Sequence, residues 1–224
     1  INLDLIDIKT KKPITKYQSF KDVFDIVGED YKKSMVFNKA LRKGLTVQPS
    51  RGMSTFDFDE TLIDKGENFI IATDPATGDQ VKITSANWPL EGPNFAAQGY
   101  EFDFTDFINV RGGVKGPLFK KLQNQIKKYG PENVYVLTAR PAESASAIHE
   151  WLKANGVELP LENITGLGNS TGEAKAMWML EKFAEGYNDM YFVDDALPNV
   201  KAVKNVLDQL DIKSNVQQAR YNFS

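Results

Sequence analysis

The sequence predicts an α/β fold, a three-layer α/β/α sandwich around a mostly parallel sheet. Two observations carry that prediction. Short apolar, β-branched runs alternate with helical patterns about as long as a sheet crossover needs. Three of those runs, Met53 to Phe56, Asn133 to Leu137 and Met190 to Val193, each stop at a polar residue. Parallel strands deliver their carboxyl ends to one crevice, so polar residues that follow several strands converge there.

The first of these runs leads into Asp57-Phe58-Asp59-Glu60-Thr61-Leu62. Alternate side chains of an extended strand share a face, so Asp57 and Asp59 can look into one site. Two carboxylates that close suggest a divalent cation, which offsets their repulsion and lets one act as nucleophile and the other as proton carrier. A pair of this kind also recurs in solvated acidic turns, so the later strands decide its meaning.

Residues 64 to 116 do not lead directly to the next sheet strand. Asn68 to Thr73 and Gln80 to Thr84 read as two strands about a turn from Asp74 to Asp79. Ser85 to Gly99, rich in Asn, Pro and Gly, reads as an irregular loop. Tyr100, Phe102 and Phe104 alternate with acids as a further strand. The stretch is thus a small β-rich insert. Its aromatic residues, Trp88, Phe95, Tyr100, Phe102 and Phe104, either form its own core or stack a nucleobase.

Beyond the insert, Pro117 introduces a helix to Tyr129, with Leu118, Phe119, Leu122 and Ile126 on one face. The strand from Asn133 ends in Thr138-Ala139-Arg140, and a helix from Ala142 to Asn155 turns Ile148, Trp151 and Leu152 inward. A short strand near Ile164 precedes a helix from Glu173 to Ala184 that carries Lys175 at its start. Asp194-Asp195 follows the strand at Met190, and a last helix spans Pro198 to Leu210. The tail from Asp211 to Ser224 shows no clear pattern.

Composition narrows the chemistry. The chain has no cysteine and a single histidine, His149, which excludes disulfides, thiolate metal sites and cysteine nucleophiles, and makes a histidine-based triad hard to build. Carboxylates must carry any reaction. A net charge of -3 argues against binding nucleic acid through the overall field. No membrane span or signal peptide is visible, so a soluble, cytoplasmic protein is expected. The chain begins at Ile1 rather than methionine, as a processed chain or a piece of a longer protein would. Residues 1–50 read as a helical extension, with a short strand expected at 2–8 and helices at 19–27 and about 30–43. Basic residues outnumber acids there, either as a solvated face or as an arm that steers a phosphorylated polymer. Oligomeric state leaves no mark on the sequence.

The ordered set Asp57-Phe58-Asp59-Glu60-Thr61, Thr138, Lys175 and Asp194-Asp195 resembles the four motifs of the haloacid dehalogenase-like superfamily, in its phosphatase branch. The resemblance runs from Met53 to about Leu210, with an interruption between Asp64 and Gly116. It implies a Rossmann-like catalytic core over 51–224, with a cap or flap inserted at about 64–116. It also implies a magnesium-dependent phosphohydrolase acting on a phosphomonoester. In that scheme Asp57 attacks phosphorus and forms an aspartyl-phosphate, and Asp59 is general acid and then base. Mg2+ is held by the Asp57 carboxylate, the Asp59 backbone carbonyl and Asp194, with Asp195 behind them. Thr138 and Lys175 bind phosphoryl oxygens. Arg140 is assigned to substrate binding, with pairing to a nearby acid as its alternative. Glu60 stands where the superfamily frequently has glycine. The expected substrate is a small-molecule or nucleotide phosphomonoester, with a polynucleotide 3'-phosphate less supported. The alternative is a binding or structural module of a larger assembly with little or no catalysis.

Overall fold

The computed structural model describes residues 49–219. The strand and two helices expected within 1–48 lie outside the described residues. In chain order the strands are β1 (Gly52–Phe56), β2 (Ile63–Gly66), β3 (Phe69–Thr73), β4 (Gln80–Thr84), β5 (Glu101–Asp103), β6 (Gly112–Lys115), β7 (Val134–Thr138), β8 (Ile164–Gly166), β9 (Asp189–Asp194) and β10 (Lys213–Gln218). The helices are α1 (Trp88–Ala97), α2 (Phe119–Tyr129), α3 (Ala145–Ala154), α4 (Gly172–Ala184) and α5 (Leu197–Leu207).

Five strands form one sheet in the order β10-β9-β1-β7-β8, and every neighbouring pair is parallel. The period-two alternation of β7 and β9 sorts their side chains onto two faces. Val134, Val136, Tyr191 and Val193 pack against Leu122 of α2 and Ile148 and Leu152 of α3. Tyr135, Leu137, Met190 and Phe192 pack against Met179 of α4 and Val203, Val206 and Leu207 of α5. A sheet covered on both faces needs strands that are apolar on both, which is why these runs read as nearly continuous. Each such side chain, fully buried, contributes about 1.5–3 kcal/mol. Among the described residues, no helix is long and apolar enough to cross a membrane.

The insert leaves the sheet after β1. Its base is the antiparallel ribbon β2-β6, and its body is the antiparallel sheet β4-β3-β5. Ile70, Ala72, Ile83 and Phe107 form its core, with Trp88, Phe95, Tyr100 and Phe102 packed on them. The segment expected to be an irregular loop, Ser85 to Gly99, instead contains α1. Pro89 sits in the first turn, where a missing N–H costs nothing. Gly92 lets the Trp88 ring lie on the helix backbone, since a Cβ there would meet the ring at 2.7 Å. These contacts outweigh Pro93, which removes one hydrogen bond inside the helix.

The tail also departs from expectation, because Lys213 to Gln218 adds β10 to the sheet edge beside β9. Its sequence, KSNVQQ, is polar with residues alternately exposed and half-buried. An edge strand with one neighbour needs little apolar surface, so periodicity does not reveal it.

Gly166 ends β8 directly beneath the loop that follows β7. A Cβ there would overlap the Pro141 carbonyl oxygen and lie 2.8 Å from that of Arg140. Backbone cannot move aside as a flexible side chain can, so Gly166→Ala is expected to lower the unfolding free energy by about 1–3 kcal/mol. Denaturant unfolding measures this, and an unchanged midpoint would contradict the packing described.

Candidate active site

Strand register brings the polar residues together. Phe56 is paired with both Val136 and Val193, so the residues that follow these three positions emerge at one end of the sheet. The Asp57 N–H donates to the Val193 carbonyl at 2.9 Å, which carries the ladder one residue further. Asp57, Thr138 and Asp194 are all buried at this end.

Lys175 reaches them from α4. Thr171 caps that helix, its hydroxyl oxygen accepting the Ala174 N–H at 3.3 Å, and the cap places Lys175 in the first turns, near the strand ends. Its ammonium donates to Asp57 Oδ1 and Asp194 Oδ2, both at 2.6 Å, and the side chain is 1% exposed. Asp194 accepts further hydrogen bonds from the Ala196 N–H at 2.9 Å and from Asn199 Nδ2 at 3.1 Å to each oxygen. The Thr61 hydroxyl donates to Asp57 Oδ2 at 3.2 Å. Asn199 thus orients an acid of the site from the start of α5.

Burial governs the protonation of these groups. It pushes Asp57 well above the usual carboxylate range, against the attraction of Lys175 and with added repulsion from Asp194. Burial, with Asp194 beside it, also pushes Asp195 up to about 7. For Lys175 burial alone favours the neutral form, but the charges of Asp194 and Asp57 outweigh it and raise its pKa.

Asp57, Asp194 and Asp195 offer carboxylate oxygens within 4.8 Å of one another. The sequence reading placed Asp195 behind the other two, and its carboxylate stands in the same cluster. With all three acids ionised, as a bound cation would hold them, three carboxylates and one lysine leave two formal negative charges in excess, the charge of one divalent cation. The donors are all oxygen, which suits a hard cation such as Mg2+. The residues therefore fit the metal that the resemblance implies.

Asp59 lines the same cavity, but its carboxylate is paired outside the Lys175 cluster. Its carboxylate meets the Arg140 guanidinium through Nε to Oδ2 and Nη2 to Oδ1, both at 2.8 Å. Arg140 also donates to the carbonyls of Phe107 at 3.2 Å and Asn109 at 2.7 Å, and to Asn68 Oδ1 at 3.2 Å. Of the two readings of Arg140, the structure displays pairing with an acid, and it adds a tie from the end of β7 to the insert. Asn68 joins that tie by donating to the Asp106 carbonyl at 2.8 Å. Neither Asn68 nor the carbonyl acceptors carry a sequence signal. Thr138 Oγ1 accepts the Arg140 N–H at 3.2 Å and lines the cavity above the carboxylates.

Glu60 has φ of +56°, a left-handed conformation that costs an L-residue about 1–2 kcal/mol and that glycine adopts freely. Its carboxylate accepts the Ser85 hydroxyl at 2.9 Å, a second tie to the insert. Together the strand ends and the insert enclose a cavity of about 530 Å³.

No protein-family model matches the chain, and no curated protein matches it. Among solved structures, a class C acid phosphatase from Bacillus anthracis with tungstate bound is similar at 16% identity and a TM-score of 0.39. The alignment covers 91% of this chain and 80% of that one. The chemistry of the site is therefore read from its own geometry.

Removing Lys175 strands two buried carboxylates. Lys175→Met is expected to cost about 3–5 kcal/mol of stability at neutral pH, measured by urea unfolding. Without Lys175 the burial that already raises the Asp57 pKa is unopposed, so the penalty for its charge sets in above the unfolded carboxylate pKa, grows as pH rises and is relieved as pH falls. The gap to wild type should accordingly narrow toward pH 5. A variant as stable as wild type at pH 7 would contradict a Lys175 that holds the acids together.

Proposed function

We propose that this protein is a magnesium-dependent phosphohydrolase that cleaves a phosphomonoester through an aspartyl-phosphate on Asp57. The observation that carries the reading is Lys175 Nζ, 2.6 Å from both Asp57 and Asp194, in a carboxylate cluster two charges short of neutral. A purely structural ion pair would need one acid for one lysine. A surplus of buried acids at the mouth of a cavity suits cation and phosphoryl chemistry.

In this reading an Asp57 oxygen attacks phosphorus, the ester P–O bond breaks, and the leaving oxygen takes a proton delivered by Asp59. Water, deprotonated by Asp59, then attacks the aspartyl-phosphate and releases inorganic phosphate. Lys175 compensates charge on the phosphoryl oxygens and Thr138 offers them a hydroxyl. Arg140 acts through Asp59, fixing its carboxylate at the cavity edge, and that pair must loosen when Asp59 carries the proton. Mg2+, held by Asp57, Asp194, Asp195 and the Asp59 backbone carbonyl, would supply the positive charge that lets an anionic nucleophile approach an anionic ester. The substrate is a small-molecule or nucleotide monophosphate.

Phosphate release from an aryl phosphate, with Mg2+ and with chelator, tests the reading. Wild type is expected to release phosphate only with Mg2+, and Asp57→Asn to lower the rate by about a hundredfold or more. Equal release by the variant would remove Asp57 from its role. Silence of wild type toward monophosphates of every class would leave the binding-module alternative.

A further inference from the structure

The aromatic residues of the insert form one packed group, with Trp88 edge-on to Phe102 at 5.0 Å, and part of that group also faces the cavity. Phe95, Tyr100 and Phe102 pack within the insert, with Phe95 and Tyr100 ring centroids 4.9 Å apart. Trp88, Phe104 and Phe107, together with Ile70 and Pro89, line the same cavity as the carboxylates, and the Arg140 guanidinium stands 4.8 Å from the Phe107 ring centre. Trp88 stands edge-on to Phe104 at 5.1 Å, and Phe104 is 37% exposed. The cavity thus combines charged groups with flat apolar surface.

The charges of the cavity are equally telling. Among its described lining residues the cations are Lys175 and Arg140, and each is already engaged by acids. Glu60 and Asp195 line it as well. A second anionic group on the ligand would meet carboxylates there and no uncommitted lysine or arginine among those residues. A volume near 530 Å³ accommodates a phosphoryl group and a ring system at once.

We infer that the wall formed by Trp88, Phe104 and Phe107 is a leaving-group subsite for a flat, uncharged aromatic alcohol. The substrate is then an aryl or nucleoside monophosphate whose phosphoryl group is its only anion, and not the end of a polynucleotide. This rests on the phosphohydrolase reading for the reaction, but the subsite itself is a statement about binding. Aromatic contact of this kind is worth enough for about a tenfold preference.

Binding of phenylphosphonate and methylphosphonate, which are not hydrolysed, is measured by calorimetry with Mg2+ on the full chain and on Phe104→Ala and Trp88→Ala. The same proteins are assayed for phosphate release from phenyl phosphate, a nucleoside 5'-monophosphate, glycerol 2-phosphate and a 3'-phosphorylated oligonucleotide. The phenyl compound is expected to bind about tenfold tighter than the methyl one, and Phe104→Ala to bring the two within about threefold. Phe104 is part-exposed, so that variant keeps the insert folded if Trp88→Ala does not. Discrimination between phosphonates without hydrolysis of any ester would uphold the subsite and overturn the phosphohydrolase. Hydrolysis with equal phosphonate affinities, or a preference for the oligonucleotide, would overturn the subsite and uphold the phosphohydrolase. Failure of both phosphonates to bind would also overturn the subsite.

Discussion

The contact on which the site depends is the one between Lys175 and the two buried carboxylates of Asp57 and Asp194. Parallel pairing of β1 with β9 forces those acids to the same end of the sheet, where burial and the neighbouring Asp194 both work against the charge of Asp57. The lysine resolves the conflict from a third element, α4, whose capped first turns bring it within 2.6 Å of each acid. Desolvating all three groups is costly, and such an arrangement seldom stabilises a fold as well as an apolar one would. Its presence in a sheet otherwise filled by Val, Phe and Met identifies the place where packing yields to chemistry.

A second set of contacts joins this floor to the insert above it. Arg140 leaves the end of β7 and grips Asp59, Asn68 and two carbonyls of the segment around Phe107, while Glu60 reaches Ser85 from a strained turn. The arginine is almost wholly buried, so its charge is compensated only through these bonds. Placement of the insert and orientation of Asp59 are therefore one problem with one solution. The insert is held to the strand ends by the same residues that orient Asp59.

The sheet strands were legible because burial on both faces demands nearly continuous apolar residues, and Val134 to Leu137 and Met190 to Val193 satisfy that demand. Asp57, Thr138, Lys175 and Asp194 were legible as an ordered set, and the fold brings all four to one cavity. What the sequence hid follows physical lines. β10 borrows its stability from β9 and so needs no apolar signature. α1 contains two prolines and a glycine that ordinarily argue for a loop, yet each finds a position that tolerates or uses it. The ribbon β2-β6 is short and rich in glycine on one side. Arg140 could be read either toward substrate or toward an acid, and the fold displays its pairing with Asp59. Asp195 lay one residue from a recognised acid, and sequence spacing alone did not say that its carboxylate would join the cluster.

The central claim is that these carboxylates form a site for a divalent cation, and thermal unfolding against Mg2+ concentration tests it most directly. A cation bound only by the folded chain raises the unfolding temperature progressively as its concentration passes the dissociation constant. The account predicts such a rise in wild type at millimolar Mg2+ and its disappearance in Asp194→Asn. A wild-type transition that ignores Mg2+, or a rise of equal size in the variant, would contradict it.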